Sequence, residues 1–452
     1  MNNLVFLDSS LITHEKESES MKKLEIGNFH VKDILFGERT VFRDGILTVN
    51  KEEAIASINP DGKLKNIELY VVRPGDSARL VPAKAAVEPR FRPDGRAVFP
   101  GYTGPMESAG DGVAYALKDM SVICCGKYSN MVDGMVDMSG PAAEHSVYAK
   151  LINLVVYAER TNEKDLDLSI RVETEYRLAA HLLAEYVAKS LKGQTPDDWE
   201  SYELESGAAE AEKKGLPRVG YFMSVYNQYA NNCNDMIYGA DSHNMLPIFM
   251  HPNEVLDGAR ASQFGMMGQT TSAYGFQNDP TLKQLYKEHG KTINFVGVIL
   301  YPTDVSNNMK LRVKNTSGRL ASSLKLDGAV VSEWVGGSNA DVDFFYQLSE
   351  LEDCGVKTVG IMAEHGGKMM QDSKGDAIIS GGDTGAIYEL PPMDLVIGDI
   401  QSTVRDYFYG SWPVHSEYGP SLRPDGSLIV NMYMIADGGN TTGFLTKSVR
   451  EF

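Results

Sequence analysis

Apolar residues in the first third of the chain recur in short, partly alternating runs. Leu24-Glu25-Ile26, Ile67-Glu68-Leu69-Tyr70-Val71-Val72 and Ser121-Val122-Ile123-Cys124 predict a β-rich domain over residues 21–160. Asp44-Gly45, Asp61-Gly62, Asp94-Gly95 and Asp111-Gly112 punctuate it as turn pairs. From Leu166 to Lys192 the period lengthens. Val172, Tyr176, Ala179, Leu183, Val187 and Leu191 recur every three or four residues and predict one apolar face of a long helix. The charged stretch Gly193–Pro217 reads as a link, so residues 161–215 are expected to be a connecting helix and linker. Beyond it, Val219–Val225, Leu246–Met250 and Phe295–Leu300 are short apolar runs of the parallel-sheet kind. Gly328–Ser332, the loop Glu333–Asn339, a helix bearing Phe344, Phe345, Leu348 and Leu351, and Val356–Met362 form a strand–helix–strand crossover. The expected fold is α/β with a β-rich N-terminal domain, followed over residues 216–452 by an open, mostly parallel sheet with flanking helices. Residues 1–20 are expected to be a disordered leader.

Composition narrows the function. With 43 Lys+Arg against 61 Asp+Glu the formal charge is -18, which disfavours nucleic acid as a partner. The 42% share of hydrophobic residues supplies real cores. Charges interrupt every long segment, so no membrane span is expected. Four scattered cysteines (Cys124, Cys125, Cys233, Cys354) do not make a disulfide framework and suit a cytoplasmic protein.

Several groupings are candidates for chemistry. Gly336-Gly337-Ser338-Asn339 follows a strand and opens a helix, where ligands of open α/β sheets sit, and it suggests a polar small-molecule pocket near Glu333 and Asn339. Asp341 and Asp343 are expected to satisfy the amides and dipole of that helix start. A second cluster, Ser380-Gly381-Gly382-Asp383-Thr384-Gly385, reads as a loop after a short strand. The first lacks the third glycine of a dinucleotide fingerprint and the second does not match the fingerprint either, which disfavours a nucleotide-dependent oxidoreductase. His243 and His251 flank one strand, roughly 26 Å apart, and cannot share a metal. Cys124 and Cys125 point to opposite faces of a strand, one expected buried and one outward. No nucleophile elbow, P-loop or His-Glu-x-x-His occurs. The glycine-rich, nearly uncharged stretch Asp257–Phe276 is long enough for a functional loop.

At this loop and its flanks the chain resembles the component B precursor of the glycine, sarcosine and betaine reductases, related to the proline reductase proprotein. The resemblance rests on LEIGNFHVKDILFGERT from Leu24, RPGDSARLVPAKAAVEPR from Arg73, FPGYTG from Phe99 and CGKYSNMVDGMVDMSGP from Cys125. It continues through NEVLDGA from Asn253, LYKEHGKTINFVGVIL from Leu285 and LDGAVVSEWVGGSNADVD from Leu326. These stretches are collinear. The resemblance implies a precursor that cuts itself before one cysteine, whose new terminus becomes a pyruvoyl group. A substrate amine condenses with that ketone, and a partner's selenolate or thiolate then displaces the amine from the α-carbon.

That cysteine is absent. Counting from Asp257-Gly258-Ala259 and Asn278-Asp279-Pro280, its place falls near Gln263, Phe264, Gly265 and Met266, and no cysteine lies between Cys233 and Cys354. A pyruvoyl group needs a leaving group on the β-carbon of the residue that becomes the terminus, so no catalytic residue is assignable at that point. Ser262 and Ser272 are fallback candidates, and Thr270 or Thr271 would leave a 2-oxobutanoyl group. The expectation is a reductase-complex subunit acting without a pyruvoyl or any other cofactor, together with a selenocysteine- or cysteine-containing subunit in a hetero-oligomer. The substrate would be a small amine or amino-acid derivative. A quaternary ammonium carbon needs no imine, because its leaving group is already cationic. Tyr221, Tyr226, Tyr229, Tyr274 and Trp334 are the aromatic supply for a cation cage, with Tyr226 and Tyr274 taken as substrate-binding beside Glu333 and Asn339. The alternative is a non-catalytic paralogue that scaffolds the selenoprotein or thiol partner.

Overall fold

The computed structural model describes residues 22–127, 134–161, 174–227, 235–261, 271–333, 339–364, 375–401, 421–439, 443–444 and 448–451. In the first half, β1 (Leu24–His30), β2 (Leu64–Val72), β3 (Ala78–Val87), β4 (Arg90–Phe91), β5 (Gly112–Lys118), β6 (Met120–Gly126), β7 (Gly134–Asp137) and β8 (Ile152–Arg160) precede α1 (Thr174–Ala188), β9 (Asp198–Tyr202) and α2 (Glu205–Lys214). They form a sheet of order β9-β1-β5-β4 and a second with the path β7-β3-β6-β8-β2. The Asp-Gly turns are as expected: Gly45, Gly62, Gly95 and Gly112 all take positive φ.

The second sheet is covered on both faces, which corrects the cysteine reading. Cys124 packs with Val122, Ala179 and Leu183 on the α1 side, while Cys125 packs with Ile123, Val136 and Tyr274 on the other. Both thiols are buried because chain from the second half closes the face that the sequence suggested was outward. The predicted helix face is present, with Tyr176, Ala179, Leu183, Val187 and Leu191 buried; Val172 lies outside the described residues. The stretch read as a linker is part of the fold. Its Asp198–Tyr202 runs antiparallel to β1, with Leu24 opposite Tyr202, and α2 closes on Gly215 at φ 64.

In the second half come β10 (Arg218–Val225), β11 (Ile248–Met250), α3 (Pro280–Glu288), β12 (Asn294–Pro302), α4 (Asn307–Ser323), β13 (Gly328–Ser332), α5 (Ala340–Asp353), β14 (Lys357–Glu364), β15 (Ala377–Asp383), β16 (Leu395–Ile397) and β17 (Ser448–Glu451). The sheet order is β11-β12-β10-β13-β14-β15-β17. Its five inner strands are parallel, and β11 and β17 are antiparallel edges. Counting the parallel strands in chain order gives 2-1-3-4-5, a doubly wound sheet whose order reverses between β10 and β13. Phe222, Ile299, Val331 and Phe344 pack on the face that carries α4 and α5, whereas Tyr221, Met223, Val298 and Leu282 pack on the other.

Two strand readings need correction. Leu246–Met250 is an edge strand, not a buried parallel run, and Ile248 and Phe249 are exposed because only β12 pairs with it. The cluster at Ser380 is not a loop from its start: β15 continues through Gly381, Gly382 and Asp383, since the backbone ladder with β14 reaches Asp383 opposite Glu364.

One apolar cluster joins the halves. It holds Leu24, Ile26, Val81 and Tyr202 from the first half with Tyr221, Met223, Val255 and Phe295 from the second. β16 also joins the first-half sheet, parallel to β3.

Candidate functional site

In a doubly wound sheet the strand order reversal leaves a crevice beyond the carboxyl ends of the strands concerned. Here those ends carry Tyr226, after β10, and Glu333, after β13. Glu333 is held in line by its N–H, which donates to the Ile361 carbonyl at 2.9 Å. Its side chain is buried. Its neighbour is the Asp341 carboxyl. Burial first, then the charges of Asp341 and Asp343, push the Glu333 carboxyl well above the glutamate range.

The helix start around this pair is built differently from the sequence expectation. Asp343 does not cap α5: it pairs with the Lys310 ammonium from α4 and accepts the Asp304 N–H at 3.3 Å. Asn339 occupies the N-cap position without a side-chain capping bond; its amide donates to the Asp304 carbonyl at 3.3 Å, and its own carbonyl accepts Lys310 Nζ at 2.9 Å. Both carboxylates face inward because α5 packs on β13 through the side that carries Ala340, Asp341, Asp343 and Phe344. Burial raises Asp343 to about 6 despite Lys310. One turn on, Gln347 is fully buried, and neither of its amide atoms has a hydrogen-bond partner among the described residues.

A cationic group flanks the same strand ends. Arg260 is fully buried; its Nη2 donates to Asp235 Oδ2 and to the Ser224 carbonyl, both at 2.6 Å, and its guanidinium stacks 3.8 Å over Phe276. Its Nη1 has no acceptor among the described residues. Ser224 lies opposite Tyr301 in the ladder, and the Tyr301 hydroxyl donates to the Ser332 carbonyl at 2.8 Å, one residue before Glu333. Below, Asp279 accepts the Leu282 N–H at 2.8 Å and the Tyr221 hydroxyl at 3.2 Å. Burial pushes its carboxyl up to about 7.

The structure thus sets Glu333 at the end of β13, Asn339 at the start of α5 and Tyr226 at the end of the adjacent strand. Tyr274 stands apart: it packs against Tyr148, ring centroids 5.7 Å apart, on the first-half sheet. Tyr221 is a core residue, and Tyr229 and Trp334 lie outside the described residues. So do Ser262, Gln263, Phe264, Gly265, Met266 and Thr270. Ser272 is buried, hydrogen-bonded to the Tyr148 hydroxyl at 2.6 Å, and caps the short helix Ala273–Gln277 by accepting the Gly275 N–H. Thr271 is buried with its methyl against Gly275, where any Cβ would collide. Sequence reasoning missed Arg260, Tyr301, Lys310 and Gln347. Only the position of Tyr301 and Lys310, at a strand end and a following helix start, signalled their place.

A family model described as glycine/sarcosine/betaine reductase component B subunits matches residues 21–450. The chain belongs to this reductase component B family. Among its relatives, a betaine reductase complex component B subunit alpha from Peptoclostridium acidaminophilum is 40% identical over 95% of this chain and 100% of the relative. Glycine reductase complex component B subunits alpha and beta from the same organism are 35% identical over 93% and 98%. A sarcosine reductase complex component B subunit alpha, also from that organism, is 32% identical over 83% and 89%. No solved structure matches.

The stretches that carry the family resemblance hold the two halves together. Arg90 donates to Glu88 at 2.8 Å, to the Gln277 carbonyl at 3.0 Å and to the Leu256 carbonyl. Arg92 pairs with buried Asp257, which also accepts the Gly110 N–H at 2.8 Å. Asn253 donates to the carbonyls of Lys22, Gly110 and Tyr202. The chain on both sides of residues 262–270 is therefore anchored to the first half. Among the described residues no helix is long and apolar enough to cross a membrane.

Proposed function

We propose that this chain is the substrate-binding component of a reductase complex that cleaves the carbon–nitrogen bond of a small ammonium acid, and that it does so as an undivided polypeptide without a pyruvoyl group. A partner subunit supplies the thiolate or selenolate. That nucleophile forms a bond to the α-carbon while the carbon–nitrogen bond breaks, and the electron pair leaves with the amine. The observation that carries the reading is the family match across residues 21–450 with no cysteine between Cys233 and Cys354. A pyruvoyl group does not fit the hydroxyls that remain in view: Ser272 is committed to a helix cap and to Tyr148, and Thr271 is buried against Gly275. The names of the relatives agree with an undivided chain. The 40% identical protein is named as one subunit, whereas the glycine reductase relatives carry two subunits in one name. A quaternary ammonium nitrogen cannot form an imine and is already a cationic leaving group, so a substrate of that kind removes the need for a ketone.

The test is to combine the full chain with a cysteine- or selenocysteine-containing partner and a dithiol, and to measure amine release from glycine, sarcosine and glycine betaine. Amine release that survives borohydride treatment of this chain is expected. Partner binding without turnover on any of the three would instead establish a scaffold.

A further inference from the structure

An edge strand leaves a row of backbone N–H and C=O groups unpaired, and proteins protect such edges with charge or cover them. Edge strands of the first-half sheets are charged: β9 carries Asp198 and Glu200, and β2 carries Lys65 and Glu68. Strand β11, at one edge of the seven-stranded sheet, is not. Among the described residues only β12 pairs with it, and the chain from 242 to 253 holds no Asp, Glu, Lys or Arg. Leu246, Ile248 and Phe249 are nonetheless 45%, 37% and 45% exposed, so apolar surface stands in water beside an open ladder.

These side chains are held in position. Met250 is buried in the core opposite Val298 and fixes the register of β11 on β12. Phe249 stands opposite Ile299, and its ring lies over Gly297, where an added Cβ would come within 2.6 Å of it. The glycine provides the space for the ring, and the part left exposed is a preset apolar surface that needs little ordering on contact. Pro247 has no N–H and ends the strand on one side, while His251 caps the helix Pro252–Leu256 on the other. Pairing on the free edge is therefore confined to Ile248–Met250.

We propose that this edge is the contact between two copies of the chain, in which β11 pairs antiparallel with its own counterpart about a two-fold axis at Phe249. This is the register that pairs all three residues: Phe249 faces Phe249 of the partner subunit, Ile248 faces Met250 of the partner subunit, and the two seven-stranded sheets become one. Charge singles out a second copy as the occupant. Each chain carries a formal charge of -18, so two copies repel wherever acidic surface meets acidic surface. They approach at least cost along an uncharged stretch, where the contact is apolar and identical on both sides. A basic partner would gain more by meeting acidic surface elsewhere.

Sedimentation velocity of the full chain over a range of concentrations tests this. The wild type is expected to form a dimer in reversible equilibrium with monomer. Added salt is expected to tighten it, because screening reduces the repulsion between like-charged copies and leaves an apolar contact in place. Phe249→Asp and Ile248→Glu each put like charges on the two-fold contact and are expected to weaken the dimer about tenfold or more. Both should melt as the wild type does, since the replaced side chains are exposed. A cross-link reads the register without adding charge. In a Cys354→Ser background, which removes the exposed thiol, Phe249→Cys is expected to form an intersubunit disulfide on oxidation, because opposed residues of an antiparallel pair stand about 4.5–5.5 Å apart. Leu395→Cys, at an exposed position on β16, is the control and should not. A wild type that sediments as a monomer at every concentration and salt overturns the inference. So does a dimer that both carboxylate variants leave unchanged, or one that Phe249→Cys fails to cross-link. If Phe249→Asp releases a different subunit and no second copy, the edge belongs to that subunit and the inference is also overturned.

Discussion

Glu88 and Asp279 are both buried carboxyls, and their surroundings drive them in opposite directions. Burial alone would raise Glu88, but the Lys118 ammonium and the Arg90 guanidinium overcome it and hold the carboxyl at about 2 against an ordinary 4.5. Its contribution to stability is therefore present above 4.5 and is lost as pH falls toward 2. Asp279 has no such cations at contact, and burial raises it from 3.8 to about 7. Its contribution is complete below 3.8 and is lost as pH rises through 7. Urea unfolding midpoints measured against pH should accordingly show a shallower acid slope in Glu88→Gln. In Asp279→Asn, which keeps the cap on α3, the fall between 3.8 and 7 should become shallower. Slopes unchanged from the wild type would contradict the assignments. At this scale the sequence showed that Glu333 ends a strand and Asn339 opens a helix, because a strand followed by a glycine-rich helix start is a local pattern. The burial of Arg260 and Gln347 was not legible, since it is a property of the assembled fold. The same holds for Cys125, whose cover arrives from residues more than a hundred positions away, Tyr274 among them.

Helix α1 shows what periodicity can and cannot reveal among the elements. The three- and four-residue spacing of Tyr176, Ala179, Leu183 and Val187 made it legible, and those residues pack on the sheet through β6 and β3. Leu183→Ala should reduce the unfolding free energy by about 2–5 kcal/mol, the range for a leucine truncated in a packed core, as measured by urea titration. A cost near zero would mean that α1 does not pack as described. Strand β9 was missed because Asp198-Trp199-Glu200-Ser201-Tyr202 lies in charged surroundings, where the alternation of Glu200 and Tyr202 against β1 has no apolar contrast to reveal it. Edge strand β11 failed in the opposite sense. Its apolar run resembles a buried strand, and composition alone does not distinguish an edge from a centre.

At the scale of the molecule, the doubly wound sheet sets the crevice and the first half anchors the chain that borders it. Arg90, Arg92 and Asn253 reach across to hold residues 252–257 and 277, while one core cluster runs through both halves. The α/β class and the crossover were readable from the chain, but this integration was not, because it depends on contacts between residues far apart in sequence. The family match runs through residues 21–450, and no cysteine stands between Cys233 and Cys354. On the function proposed above, the chain stays whole and presents a substrate carbon to a partner's nucleophile. The intact mass of the native protein, recorded before and after borohydride treatment, tests this most directly. The account predicts a single undivided polypeptide unchanged by borohydride; two fragments, one of them gaining mass on reduction of a terminal ketone, would contradict it.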